Sequence, residues 1–256
     1  MTPSGEDSDL ISQVRDWIRQ AERIAILTGA GISTDSGIPD FRGPKGLWTK
    51  NPEAEKMATL QVYMADPEVR KRSWQWRLET ALGKRVPNIG HETLVRLEKT
   101  AQLHTLVTQN VDGLHQAAGS NPAHVIEIHG TLNEVVCLSC EERAPMSRAL
   151  DRVVAGESDP ACRSCGGILK SATISFGQGL VSEDLARADR AARECDLLLA
   201  IGSTLAVYPI AAMVPTAQQA GARIVIINGE KTDMDVIADA VLNGSISEIL
   251  PQLIPQ

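Results

Sequence analysis

A glycine-rich turn, Gly29-Ala30-Gly31, is the first stretch whose residue types could do chemistry. It follows an apolar run that starts at Ile24, and such a run followed by glycines is typical of a buried parallel strand leading into a phosphate-binding turn. The polar side chains of residues 33–36 could cap a helix there, so that backbone N–H groups would converge on an anion. Because the third glycine of the usual dinucleotide fingerprint is missing, the turn predicts an unusual Rossmann variant.

Three more polar segments follow predicted strands: Gln109–His115, His129-Gly130 and Gly202–Thr204. In open α/β sheets, ligands bind beyond the carboxyl ends of the strands, where these segments would lie. His129 is the one histidine placed directly after a strand and before a glycine, and an imidazole is suited to take up a proton near neutral pH. We therefore predict His129 as the base of the site. His115 is the competing candidate, and we expect it to face inward as a structural residue.

Two Cys-x-x-Cys pairs, Cys137/Cys140 and Cys162/Cys165, suggest a metal site. Their separation is close to the roughly 15–20 residues that are typical of zinc ribbons. Four thiolates in two close pairs form a closed tetrahedral site, so we predict one structural zinc ion with no open position for a substrate. A redox Cys-x-x-Cys would require one pair rather than two. Cys195 lies outside both pairs, and we interpret it as a small buried hydrophobic residue.

The composition is that of a soluble globular protein of 256 residues, with 43% hydrophobic and 22% charged residues. The net charge of −7 argues against nucleic acid as a direct partner, because phosphate binding needs a basic surface. No apolar run reaches the roughly 18 residues of a membrane helix, and residues 1–9 are too polar and acidic for a signal peptide. We therefore expect a cytoplasmic monomer that does not bind membranes.

Predicted strands alternate with predicted helices along most of the chain, which favours an α/β fold with a doubly wound parallel sheet. Residues 44–90 differ, because prolines, charges and a weak helical pattern replace the strands, and we interpret them as a helical insert that covers the glycine turn. The predicted domains are a Rossmann-type NAD-binding domain of residues 8–43, 91–130 and 172–256, the helical insert of residues 44–90, and a small inserted zinc-ribbon module of residues 131–171.

Five separated motifs occur in this chain in one order. They are Gly29–Ser33 with Gly37–Arg42, Gln109–Asp112, His129-Gly130, the double Cys-x-x-Cys, and Gly202–Thr204 with Asn228 and Glu230. Their order and spacing resemble the bacterial type of sirtuin, the Sir2-like NAD-dependent protein-lysine deacylases, over roughly residues 10–250.

The resemblance implies that NAD is the co-substrate and that the acyl group of acyl-lysine is transferred to ADP-ribose, with release of nicotinamide and O-acyl-ADP-ribose. His129 and Asn110 would be the catalytic residues, and the Asn110 amide would hold a ribose hydroxyl or a water. Asp112 and the backbone of Ile38 would contact the nicotinamide carboxamide. The NAD-binding residues implied by the resemblance are Gly29, Ala30, Gly31, Ile32, Thr34, Ile38, Asp40, Phe41, Arg42, Trp48, Gln109, Asn110, Asp112, Gly202, Ser203, Thr204, Asn228, Glu230 and Ile246.

The resemblance also implies that acyl-lysine proteins or peptides are the partners, and that the extended peptide adds as a strand between edges of two domains. The edges would include Phe176, Gly177 and Val207. The carbonyl of Ile174 would accept a hydrogen bond from the Nε–H of the acyl-lysine.

Two features of the sequence give conflicting predictions of the preferred acyl group. Arg77 stands near where desuccinylating members carry the arginine of a Tyr-x-x-Arg motif, and it would suit an acidic acyl group through a bidentate pair. Trp74 replaces the tyrosine of that motif. The segment Phe41–Thr49 instead resembles the loop of members that prefer long acyl chains or transfer ADP-ribose.

Two other functions remain open on the sequence. A protein ADP-ribosyltransferase would use the same NAD site but would leave the ADP-ribose on protein. A non-catalytic scaffold that binds NAD or zinc would show no turnover of any acyl-peptide.

Overall fold

The computed structural model of the protein describes residues 5–40, 46, 56–82, 85–100 and 102–255. The predicted NAD-binding residues Phe41, Arg42 and Trp48 lie outside these described residues. Two sheets are present in the described part of the chain, a parallel sheet of six strands and an antiparallel sheet of three.

Nine strands are found in the described residues, and they are numbered in chain order. They are β1 Ile24–Thr28, β2 Leu103–Thr108, β3 Val125–Glu127, β4 Gly130–Cys137, β5 Arg143–Pro145, β6 Leu169–Thr173, β7 Leu197–Ile201, β8 Arg223–Asn228 and β9 Ala240–Asn243.

The α-helices of the described residues are numbered in the same way. They are α1 Gly5–Gln20, α2 Leu60–Ala65, α3 Pro67–Leu82, α4 Ile89–Glu98, α5 Leu114–Ala118, α6 Met146–Val154, α7 Ser182–Glu194, α8 Met213–Gln219 and α9 Ile246–Leu253. Short 3₁₀-helices cover Ala30–Ser36, Ile210–Ala212 and Asp235–Ile237. None of the helices in these ranges is long and apolar enough to cross a membrane.

The six-stranded sheet has the strand order β3-β2-β1-β7-β8-β9, and every neighbouring pair is parallel. After β1, the chain adds β2 and β3 on one side of it and then returns to add β7, β8 and β9 on the other side. This is the doubly wound order, and the direction of winding reverses between β1 and β7, where ligands bind in such folds. The prediction of a doubly wound parallel sheet is confirmed.

Helices cover both faces of this sheet because its central strands are apolar on both sides. All five residues of β1 and all five of β7 are buried. On one face, Ile26 packs in the same apolar cluster as residues of α1, α4 and α9, among them Val14 and Leu94. On the other face, Leu27 packs in a cluster with residues of α7 and α8. The sheet is therefore a rigid support for the loops at its carboxyl edge.

The antiparallel sheet has the order β5-β4-β6 and carries α6 against it. Its β4 starts at Gly130, directly after the predicted base, and pairs with β6. The predicted Rossmann-type domain resumes at residue 172, whereas β6 ends at Thr173 and belongs to the small sheet. The proposed domain boundary between residues 171 and 172 therefore falls inside a strand.

At Gly130, strands β4 and β6 of the small sheet approach each other closely. The φ of Gly130 is +73°, and a Cβ at this position would lie 2.1 Å from the carbonyl oxygen of Ala172. Gly156 has a comparable φ of +100°, but a Cβ there would meet no atom within 4 Å.

These two glycines form a matched pair for a stability test. We expect Gly156→Ala to cost about 1 kcal/mol of unfolding free energy from its left-handed backbone alone. Gly130→Ala adds a clash with backbone and should cost at least about 2 kcal/mol more. Urea denaturation of both variants measures the difference, and equal losses would contradict the close approach of β4 and β6.

Candidate active site

A cleft of about 1040 Å³ lies at the carboxyl edge of the parallel sheet, between it and the small sheet with α2 and α3. It brings together most of the site residues predicted from the sequence. Those that line it are Gly29, Ala30, Gly31, Thr34, Asp40, Arg77, Gln109, Asn110, His129, Ile174, Phe176, Gly177, Gly202, Ser203, Thr204, Val207, Asn228, Glu230 and Ile246.

Of the predicted NAD-binding residues that the structure describes, three do not line the cleft. The side chain of Ile32 is buried in the core of the main domain. Asp112 is held by hydrogen bonds within the protein, and the N–H of Ile38 donates to the carbonyl oxygen of Ser33 at 3.3 Å. The nicotinamide contacts of Asp112 and Ile38 stay a prediction.

The glycine turn after β1 is packed against the loop after β7. Gly29 donates its N–H to Ile201, and Gly31 donates to Gly202 at 2.8 Å. A Cβ at Gly29 or at Gly31 would lie 2.7 Å from a backbone atom of Gly202. The two glycines are therefore required by contact between two loops, in addition to any approach of a ligand.

The segment after this turn differs from the predicted capped helix. Residues 30–36 form a 3₁₀-helix with no side-chain cap, and it ends at Gly37 with a left-handed φ of 77°. The N–H groups of Gly31 and Ile32 are already bonded to carbonyl oxygens of the protein. The expectation that residues 33–36 cap an α-helix is wrong, because these residues lie within the 3₁₀-helix and its first N–H groups are used for loop packing.

Ser33 is a site residue that the sequence analysis missed. It is 1% exposed, its hydroxyl donates to Asp112 Oδ2 at 2.7 Å, and it accepts from Asn110 Nδ2 at 3.2 Å. Asn110 also donates to the carbonyl oxygen of Gly29 at 3.1 Å. These bonds fix the loop after β2 against the glycine turn and orient the Asn110 amide at the wall of the cleft.

His129 is half-buried and lines the cleft at the point where β3 ends. Its Nδ1 lies 3.0 Å from the carbonyl oxygen of Gln109. Because a carbonyl can only accept, Nδ1 carries the proton and Nε2 keeps a lone pair. Burial lowers the pKa of His129, and the hydrogen bond with Gln109 partly opposes that shift. The imidazole is therefore neutral at pH 7 and able to accept a proton at Nε2.

His115 faces the interior, as expected. It is 1% exposed, its Nε2 lies 3.0 Å from the hydroxyl of Thr28, and it does not line the cleft. Its ring contacts that of His91 with centroids 5.0 Å apart. Burial, with the neighbouring His91 as the second cause, lowers the pKa of His115 to about 3. This histidine stays neutral across the physiological range and is structural.

The cleft extends between α3 and β6 to two cationic side chains. The Arg77 guanidinium donates to the Ser171 hydroxyl at 2.7 Å and to the Ser73 carbonyl oxygen at 3.0 Å. Lys170, which the sequence analysis missed, is 2% exposed, and its Nζ donates to backbone carbonyl oxygens of β6. Burial, followed by the charge of Arg77, lowers the pKa of Lys170 to about 8.

Neither cation has an acidic partner in the described part of the chain. No carboxylate of those residues forms an ion pair with Arg77 or Lys170, and Arg77 Nε has no hydrogen-bond partner among them. Burial lowers the pKa of Arg77 as well. Two desolvated cations bound only by neutral oxygens form an environment that would be stabilised by an anion.

Phe176 is held by the segment that leads into α2. Its N–H donates to Ala58 and its carbonyl oxygen accepts from Leu60, at 2.8 and 3.0 Å. The backbone of Phe176 is therefore engaged within the protein. Of the other predicted peptide edges, Gly177 and Val207 line the cleft next to it.

The far end of the cleft is formed by β8 and α9. The Asn228 amide donates to the Glu230 carbonyl oxygen at 2.8 Å. Ile246, at the start of α9, is 6% exposed and borders the same end. These predicted nucleotide contacts are thus close together in space.

The four paired cysteines meet in the small sheet, and their sulfur atoms all lie within 4.8 Å of one another. Cys137 and Cys165 are 3.5 Å apart at their sulfurs, and Cys140 and Cys162 are 3.7 Å apart. A tetrahedral zinc ion with Zn–S bonds of about 2.3 Å places its sulfurs about 3.8 Å apart. The cluster fits a structural zinc ion, as predicted.

Comparison with known proteins agrees with this arrangement. The sequence model of the Sir2 family matches residues 29–209. The chain belongs to the Sir2 family. The predicted sirtuin membership is thereby confirmed.

Individual sirtuins are similar over nearly the whole chain. The NAD-dependent protein deacetylase 2 of Streptomyces coelicolor is 46% identical over 90% of this chain and 96% of its own. A solved Sir2 enzyme structure aligns with a TM-score of 0.87 at 35% identity, over 96% of this chain and 97% of that one. A Sir2 structure with a p53 peptide and NAD+ aligns with a TM-score of 0.83 at 30% identity, over 95% and 96% of the two chains.

The buried His115 makes a prediction for stability against pH. In the unfolded chain His115 takes up a proton near its ordinary pKa of 6.5, whereas in the folded chain it does so only near pH 3. The unfolding free energy therefore decreases as the pH falls below 6.5. Between pH 7 and pH 5, this residue should lower the unfolding free energy by about 2 kcal/mol. Urea denaturation at both pH values should show a smaller loss for His115→Gln. An unchanged loss would exclude His115 as its source.

Proposed function

We propose that this sirtuin is an NAD-dependent protein-lysine deacylase that releases nicotinamide, O-acyl-ADP-ribose and free lysine. The observation that carries the proposal is His129, which lines the cleft and whose Nε2 is left unprotonated because Nδ1 donates to the Gln109 carbonyl oxygen. The names of the relatives and the peptide and NAD+ in similar Sir2 structures support the same activity.

NAD supplies the ribose carbon that accepts the acyl oxygen when nicotinamide leaves. The residues of this chain bind and orient the reactants. Ser203 receives a hydrogen bond from Gln109 at 2.8 Å and, with Thr204, suits a phosphate or ribose hydroxyl. Asn228 and Glu230 suit the adenine ribose at the far end.

His129 accepts a proton from a ribose hydroxyl in this proposal. The hydrogen bond from its Nδ1 to Gln109 holds the ring in the tautomer that leaves Nε2 free for that proton. Asn110, oriented by Gly29 and Ser33, holds a ribose hydroxyl or water near the imidazole.

The proposed base can be tested by one substitution. His129→Ala should lower kcat on an acetyl-lysine peptide at least about 100-fold, since general bases contribute that much. Binding of ADP-ribose, measured by calorimetry, should change less than threefold, because the sheet holds that end of the cleft.

The surface histidine His124, which pairs with Glu98, offers a matched control, and His124→Ala should keep full activity. Products are identified by mass spectrometry with labelled NAD. Turnover that survives His129→Ala would contradict the assignment of the base. Label on protein without free lysine would support the ADP-ribosyltransferase alternative.

The acyl end of the cleft favours a carboxyl-bearing acyl group in this proposal. Arg77 and Lys170 supply two buried cations without acidic partners in the described residues, and the hydroxyls of Ser73 and Ser171 accept hydrogen bonds from Arg77. Trp74 does not line the cleft, so the hydroxyl of the family's Tyr-x-x-Arg motif has no counterpart at that position.

A pair of peptides with acyl groups of equal size tests this preference. Wild type should hydrolyse succinyl-lysine at least about tenfold faster, in kcat/KM, than the neutral succinamide analogue, because charge-assisted bonds are roughly twice as strong as neutral ones. Arg77→Met should remove the preference. Lys71→Met, on the exposed side of the same helix, should keep it. Equal rates for both peptides in wild type would exclude a carboxylate site.

A Rossmann-type domain with two inserted modules, the second of which includes all of β6, completes the proposal together with a cytoplasmic location and a monomeric state. The separate sheets support a division into a Rossmann-type domain and inserted modules. The net charge of −7 supports a protein that does not bind nucleic acid directly.

A further inference from the structure

Trp74 packs beside the metal site and does not line the cleft, but its helix carries residues of the cleft wall. It lies on α3 and is 0% exposed. Its indole belongs to the apolar cluster of the small sheet, together with Cys137, Cys162 and Leu169. Helix α3 therefore shares its core with the cysteine site and not with the parallel sheet.

The same helix carries the acyl end of the cleft. Trp76 and Arg77 line the cleft within one helical turn of Trp74, and the Arg77 guanidinium lies 5.7 Å from the Trp74 ring centroid. Arg77 is further bonded to Ser171 on β6. A displacement of the indole would therefore move the side chains that face the acyl group.

Two polar contacts strengthen this connection. The hydroxyl of Tyr63 donates to the Leu169 carbonyl oxygen at 2.9 Å, and Arg70 pairs with Asp159 at 2.8 Å. Both join α2 or α3 to the zinc module, and both ion-pair side chains are mostly buried. The helical insert and the zinc module thus form one packed body.

The end of the cleft that would bind the nucleotide is held by hydrogen bonds of the parallel sheet and not by the helical insert or the zinc module. Gly29 donates to Ile201, Gly202 donates to Ile227 and Gln109 donates to Thr28, all within the parallel sheet. Residues that hold this end are anchored to strands with helices on both faces. In the described residues, the small sheet meets these loops at His129 and Gly130 and through the hydrogen bond from the Leu132 N–H to the Val111 carbonyl oxygen at 2.9 Å, and Trp74 takes part in neither connection.

We infer that Trp74 is a positioning residue that couples zinc binding to binding of the acyl-lysine peptide and leaves ADP-ribose binding uncoupled. The inference rests on the proposed function for the acyl-lysine ligand. Thermodynamic linkage requires that the peptide then strengthens zinc binding by the same factor by which zinc strengthens peptide binding.

Zinc affinity, measured on the full chain by equilibrium competition with a chromogenic chelator, tests the coupling without any turnover. A saturating acetyl-lysine peptide, without NAD, should tighten zinc binding about tenfold, within the usual range of coupling between sites. Saturating ADP-ribose should change it less than twofold. Equal effects of both ligands would overturn the inference.

The variants assign the coupling to the indole. Trp74→Phe should weaken zinc binding and reduce the peptide effect to less than twofold, and Trp74→Leu should do the same. Trp17→Phe, on α1 against the parallel-sheet core, should behave as wild type. ADP-ribose binding verifies that each variant is folded. A full peptide effect in a folded Trp74 variant would overturn the role of this residue.

The outcomes separate the two proposals. A wild type that deacylates the peptide with NAD but shows no peptide effect on zinc contradicts the coupling alone. A wild type that neither binds nor deacylates the peptide contradicts both the coupling and the proposed function.

Discussion

The contact between the loop after β1 and the loop after β7 is the constraint on which the site depends. Gly29 and Gly31 lie so close to Gly202 that no side chain fits between them. The contact is made by backbone and is fixed by hydrogen bonds from both glycines to the neighbouring loop. It places both nucleotide loops at the point where the winding of the sheet reverses. The hydroxyls and amides of the site take their positions from this backbone.

His129, the proposed base, lies where the parallel sheet and the small sheet meet. Its Nδ1 is bonded to the loop after β2, and its own carbonyl oxygen accepts from Ile174, which follows β6 of the small sheet, at 2.7 Å. The parallel sheet therefore sets the tautomer of the ring, and the small sheet sets the backbone that carries it. The imidazole thus lines the cleft with a pKa lowered by burial, and residues of both sheets hold it there.

Local patterns predicted the sheet, the zinc cluster and the position of His129. Apolar runs mark buried strands, paired cysteines mark a metal site, and polar residues after strands mark the ligand edge. The roles of Ser33 and Lys170 were not predictable in this way, because their environments are made by segments distant in sequence. Lys170 lies in the short strand Leu169–Thr173, where nothing local indicates that its charge is desolvated. The 3₁₀-helix of residues 30–36 was missed because loop packing, rather than helix propensity, decides its geometry.

The position of β1 in the middle of the sheet has a consequence for biosynthesis. Its two neighbouring strands are synthesised long after it, since β2 begins at residue 103 and β7 at residue 197. Until residues 197–201 have left the ribosome, one edge of an apolar strand has no partner, and such edges associate readily with other chains. The nascent chain must therefore shield this edge during most of its translation, and the nucleotide pocket is completed only when the carboxyl-terminal half has emerged.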